Sequence, residues 1–133
     1  MLSIKNLTKT KVDQKLLTAL AKVVLKGENI LKEKDISLVL LSQEEIQKIN
    51  KQYRNIDSST DVLSFEGEGE ELGEIVICPK VVLKNTKTTF EKELAFVFIH
   101  AILHLLGYDH EKTEKEKELM QKKEQYYLDK IFS

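Results

Sequence analysis

The chain has three histidines, His100, His104 and His110, and all of them lie in the segment HAILHLLGYDH. His100 and His104 stand four apart, so on a helix both rings project from one face and can share one ion. Gly107 suits the left-handed turn that ends a helix, which lets the chain fold back and bring His110 to the same point. Three neutral imidazoles leave one position of a tetrahedral Zn²⁺ open for water, which is the layout of a catalytic site; structural sites close with a fourth protein ligand. The spacing predicts one zinc per chain. The preceding run Leu94–Ile99 is apolar all round and predicts a central helix. Histidines on the inner face of such a helix would be costly to desolvate without a partner, and a metal is such a partner. The alternative is a set of core or surface histidines satisfied by carbonyl groups. Asp109, beside His110, is a candidate for orienting a ligand from behind, or only for stabilising the turn.

The spacing H-x3-H-x2-G-x2-H is shared with the metzincin peptidases, in which a glutamate general base follows the first histidine. Here that position is Ala101, which speaks against peptide hydrolysis. RNA cleavage asks less of a carboxylate, because the substrate's own 2′-hydroxyl or water activated by a metal can serve as nucleophile. What that reaction needs is charge stabilisation at the phosphate. Of 21 basic residues twenty are lysine, and the single arginine is Arg54. Its planar fork can grip phosphate oxygens in pairs, which lysine cannot imitate; the alternative is an ion pair with Asp57 or Asp61. Lys11, Lys15, Lys22 and Lys26 would fall within an arc of about 60° on one helix, either tracking an RNA backbone or forming a solvated face. Cys78, at the end of an apolar strand, reads as packing. Ser64 and Thr60 can hydrogen-bond in a cleft, but no histidine is left to act as their base.

The elements that must position these residues follow from the pattern. The chain of 133 residues is one domain's worth, residues 1–133, with 41% hydrophobic and 32% charged residues. A mean hydropathy of -0.31 and the lack of a long apolar run predict no membrane span. One cysteine excludes a disulfide framework and a cysteine-based zinc ribbon, and a reducing cytoplasm is the expected compartment. A formal charge of -1 argues against a protein that merely coats nucleic acid, though not against a local basic face. Alternation over 2–7 predicts a strand, and residues 12–26 a helix closed by Gly27. A buried strand is expected over 36–41, then a helix to Tyr53 opened by the capping box Ser42/Glu45. Strands over 62–65 and 75–78 flank an acidic segment with five glutamates between Glu66 and Glu74. Pro79 opens a short helix, Thr88 and Glu91 form a second capping box, and a long helix over 114–131 follows, packed by Met120 and the Tyr126-Tyr127 pair. The order β-α-β-α-β-β-α-α-α predicts an α+β fold, a four-stranded mixed sheet packed with about five helices.

HAILHLLGYDH, together with STDVLSF at 59–65 and LGEIVIC at 72–78, resembles the YbeY family of bacterial metal-dependent endoribonucleases. The likeness runs from the helix ending in Tyr53 and Arg54 to Met120 and Glu124 in the last helix. It implies an α+β fold with a zincin-like site, a zinc held by His100, His104 and His110. It also implies that Arg54, in NKQYRNIDSSTDVLSF, lies near the metal and handles RNA. The expected substrate is single-stranded ribosomal RNA, in small-subunit 3′-end maturation and ribosome quality control, with the ribosome or its small subunit as partner. The alternatives are a ribosome assembly factor with a structural metal and little nuclease activity or, against Ala101, a metallopeptidase. Family members commonly carry glycine where this chain has Ala101, proline at Glu66 and aspartate at Glu74; none of these removes a metal ligand.

Overall fold

The computed structural model describes residues 1–30, 32–109 and 111–132. Along these residues the elements run β1 (Leu2–Asn6), α1 (Gln14–Gly27), β2 (Asp35–Leu40), α2 (Gln43–Arg54), β3 (Val62–Glu66), β4 (Glu71–Ile77), α3 (Pro79–Lys84), α4 (Phe90–Leu105) and α5 (Glu114–Phe132). The helix starts are set by local caps. Asp13 accepts from the Leu16 N–H at 3.1 Å, so α1 begins after it rather than at Val12. Half of the expected Ser42/Glu45 capping box forms: the Glu45 N–H donates to Ser42 Oγ at 3.2 Å, but the Glu45 carboxylate takes the Ser42 hydroxyl, also at 3.2 Å, in place of the backbone N–H. At α4 the cap is Thr89, which accepts from the Lys92 N–H, one residue later than the sequence pattern placed it. The Thr88 hydroxyl is instead spent on Glu93 Oε1. Strand β4 starts four residues before Ile75, because the glutamate-bearing segment is recruited into pairing with β3, Glu66 lying opposite Gly73.

The sheet order is β1-β2-β4-β3, with β1, β2 and β4 parallel and β3 antiparallel to β4. This is the mixed four-stranded α+β arrangement expected from the element order. Alternation along the inner strands sorts side chains to two faces. Ile36, Leu38 and Leu40 of β2 and Ile75 and Ile77 of β4 enter the main core with residues of α1, α4 and α5. Val39 and Val76 turn to the other face, where Leu41, Ile46, Leu63, Cys78 and Val81 form a smaller core under α2 and α3. Cys78 is fully buried there, a packing residue.

α4 is central, as its apolar sequence predicted, but not on every side. Phe96 is 38% exposed, whereas Leu94, Ala95, Phe98, Ile99 and Ile102 are buried. At four-residue spacing, Phe96, His100 and His104 share the one stripe of α4 that the core does not claim. On α5 the inward stripe is Met120, Glu124, Tyr127 and Leu128. Of the tyrosine pair only Tyr127 packs inward; Tyr126 is 53% exposed, edge-on to it and under Lys130.

The end of α4 lies close over β4 because Gly73 has no side chain: a Cβ there would stand 2.8 Å from Leu105 Cδ2 and press on the Phe65 carbonyl oxygen. Gly73→Ala is therefore expected to cost about 2 kcal/mol of unfolding free energy through overpacking. Urea denaturation of the two proteins measures it.

Candidate active site

His100 and His104 face a cleft of about 280 Å³ that Arg54, Val62, Leu63, Ser64, Ala101, Asp109 and Glu111 also line. Three parts of the fold meet here: the C-terminal end of α2, the first half of β3, and the last turns of α4 with the segment after it. Arg54 is the final residue of α2, which stops where Asn55 takes a left-handed conformation with φ 57°. Side chains of α2 hold the chain between Arg54 and β3. Asn50 Nδ2 donates to the Ser58 carbonyl at 3.0 Å, and Gln47 Nε2 donates to Asp57 Oδ1 at 3.1 Å. Asp57 also lies 3.8 Å from Lys51 Nζ. Among the described residues no carboxylate lies within ion-pair distance of Arg54, so the pairing with Asp57 or Asp61 weighed from the sequence is not formed.

α4 ends as its glycine predicted. Gly107 has φ +107°, its N–H donates to the His104 carbonyl at 3.0 Å, and the Tyr108 N–H donates to the Leu103 carbonyl at 3.1 Å. This double bond back onto the last turn is the Schellman pattern, and it redirects the chain sharply. Asp109 then accepts from the Glu111 N–H through Oδ1 at 2.9 Å while lining the cleft, so it stabilises the turn and faces the site at once. His110 lies outside the described residues. Among the described residues no group of three His, Cys, Asp or Glu side chains is placed to hold a metal ion.

The burial expected of the histidines is only partly met: His100 is half-buried and His104 exposed, because their stripe of α4 faces the cleft instead of the core. The desolvation cost falls elsewhere, on Glu124. This carboxylate is 4% exposed, and its Oε2 lies 2.6 Å from His100 Nδ1. A carboxylate only accepts, so Nδ1 carries the proton and Nε2 is the basic nitrogen of the ring. That is the tautomer a metal ligand needs, with a carboxylate behind the imidazole to orient it. Two imidazoles on one face of α4 are donors of the kind zinc takes, and His100 has its tautomer set for such a role. Sequence reasoning did not give Glu124 a role, although the signal was there: a glutamate interrupts the apolar stripe Met120–Tyr127–Leu128.

The lysine stripe and the acidic segment are not part of the cleft. Lys22 and Lys26 line a separate groove between α1 and the starts of β1 and β2, Lys11 lies beside Phe90 and Glu91, and Lys15 is exposed on α1. The five glutamates are exposed around the far end of the β3–β4 hairpin.

The segment after α4 is held from the side by Glu28, the residue that caps α1. Its carboxylate accepts hydrogen bonds from the hydroxyls of Tyr108 and Tyr127 and from Lys123 Nζ. Burial alone would raise the Glu28 carboxyl, but those three bonds and the Lys123 charge hold it below its usual 4.5. Burial and the Glu28 charge push Tyr108 up to about 12 and raise Tyr127 as well.

The chain matches the family described as Endoribonuclease YbeY over residues 3–132. A protein named Endoribonuclease YbeY from Caldanaerobacter subterraneus is 40% identical over 146 aligned positions, covering 92% of each chain. One of the same name from Thermosipho melanesiensis is 49% identical over 102 positions, covering 72% of this chain and 73% of its own. The solution structure of TM1509 from Thermotoga maritima superposes with a TM-score of 0.71 at 37% identity, covering 99% of this chain and 89% of that one.

The Glu28 cluster gives stability two pH limits. A carboxyl held below 4.5 contributes stability above that pH and loses it as pH falls through the folded value. A phenol raised from 10.0 contributes below pH 10 and loses it as pH rises toward 12. Chemical denaturation across this range is expected to show unfolding free energy falling on both sides, and both limbs are expected to flatten in Glu28→Gln.

Proposed function

The chain belongs to the YbeY family of endoribonucleases, and from that premise we propose that it cuts single-stranded ribosomal RNA as a zinc-dependent hydrolase. Its place is small-subunit 3′-end maturation and ribosome quality control in the cytoplasm. The observation that carries this reading is the convergence of the chain's one arginine with His100 and His104 on one cleft. An anionic phosphodiester seated there would have the guanidinium on one wall and the imidazoles on the other.

In this reading His100, His104 and His110 hold the zinc. Bound there, zinc supplies Lewis-acid polarisation of the phosphate and activation of water. Glu124 fixes the His100 ring by accepting from Nδ1, so that Nε2 is the nitrogen offered to the metal. Arg54 binds phosphate oxygens bidentately and stabilises charge that builds on them as the bond to the leaving oxygen breaks. Ser64, half-buried on β3, adds a hydroxyl that can donate to the RNA backbone. Ala101 is 2% exposed and carries no group that could take a proton, which weighs against a peptidase. No helix among the described residues is long and apolar enough to cross a membrane.

The test is cleavage of an end-labelled single-stranded ribosomal RNA fragment by the zinc-loaded protein, with His104→Ala and Arg54→Ala prepared identically. Arg54→Ala is expected to lose about 10² to 10³ in rate, as when one transition-state donor is removed. Arg54→Lys should recover only part of this, since an ammonium cannot make the paired contact. His104→Ala should be inactive while keeping its fold. Equal cutting by parent and His104→Ala would sink the reading, and no cutting by the zinc-loaded parent would favour an assembly factor with a structural metal.

A further inference from the structure

Glu28 lies outside the histidine cleft, yet it binds the segment that leads from α4 into that cleft. Its side chain is 8% exposed, and three donors converge on it from two other segments. Lys123 and Tyr127, four apart on α5, reach it from one side. Tyr127 can come so close only because Gly27 has no side chain; a Cβ there would lie 2.5 Å from the ring. Tyr108 reaches it from the other side, across 80 positions of sequence. Tyr108 is the residue between the Gly107 turn and Asp109, two positions before His110.

The same stretch of α5 therefore reaches both α4 and, through Glu28, the segment that follows α4. Glu124 holds His100 on α4, and its neighbours Lys123 and Tyr127 hold Glu28, which in turn holds Tyr108. His100 and His104 are fixed by helix geometry. The segment that follows α4 has no such constraint, and it must be ordered either beforehand by the fold or at the moment a metal binds. Ordering beforehand raises affinity, because the metal no longer bears that entropy.

We infer that Glu28 is a positioning residue for the cleft: by anchoring Tyr108 it orders the segment after α4 that carries Asp109 into the cleft, and thereby raises the affinity of the site for zinc. This rests on the three-histidine reading above. The two sides of the Glu28 cluster then have separable roles. The bond from Tyr108 serves the metal, and the bonds from α5 serve the docking of that helix on α1.

The experiment uses the full chain stripped of zinc, titrated with zinc against a chromophoric chelator, with thermal unfolding of the zinc-free proteins in parallel. Tyr108→Phe and Glu28→Gln are expected to weaken zinc binding about tenfold, the cost of ordering about one backbone residue when the metal binds. The double variant should be no weaker than Glu28→Gln alone, since the two act through one bond. Tyr127→Phe should lower the unfolding temperature and leave zinc affinity within about twofold, because Tyr108 and Lys123 still hold the carboxylate. Unchanged zinc affinity in Tyr108→Phe and Glu28→Gln, with lowered unfolding temperatures, would overturn the inference and leave Glu28 a fold residue. If Glu28→Gln does not fold, Tyr108→Phe decides alone, since it keeps the ring. Identical zinc binding by the parent and His104→Ala would instead remove the three-histidine site and the inference with it.

Discussion

A carboxylate withdrawn from water must be compensated where it lies, and Glu124 meets that demand at Nδ1 of His100. The pair constrains its surroundings in several directions. It sets the rotation of α5 about its axis, since only one face can bring Glu124 against α4. That rotation buries Met120, Tyr127 and Leu128 on the same side and carries Lys123 and Tyr127 to α1. It also fixes which nitrogen of the imidazole is basic. Removing His100 would strand the buried Glu124, so the bond ties the packing of the last helix to the chemistry of the cleft.

The sheet supplies the frame on which this rests. Parallel β1, β2 and β4 form a rigid base under α1 and α4, and β3 returns along the edge to bring Ser64 toward the histidines. α2 covers the opposite face, and its C-terminus delivers Arg54 to the same cleft. The groups that would handle phosphate and those that would hold metal thus come from opposite layers of the molecule. The edge of the sheet is where these layers meet, and a long anionic strand can approach there without threading through the core.

Much of this was legible in the residues. Helix spacing and a glycine were enough to read the His100–His104 face and the turn after it, because both depend on local geometry. The order of elements and the mixed sheet followed from periodicity. What could not be read was decided by partners remote in sequence. An all-apolar helix gives no indication of which stripe faces out, so the histidines were expected to lie inward although their stripe lines the cleft. Glu124 stood in an apolar stripe and could have been noticed as an anomaly, but its partner lies on another helix. Glu28 gave no signal at all, since two of its donors are 80 and 99 positions away. Thr88 and Thr89 were equally good caps by type, and the choice fell to Thr89, because the Thr88 hydroxyl is bound to Glu93.

The acidic turn between β3 and β4 gains a purpose from its position. β3 is an outer strand of the sheet, and such strands invite pairing with the same strand of another molecule. The hairpin that contains it ends in a crowd of glutamates, with no base between Glu66 and Glu74. A second copy pairing its β3 in parallel with the first would bring an identical negative crowd against it, and like charges at that range repel. The charge thus weighs against that mode of pairing, and it sits at the end of the strand away from the cleft and its arginine.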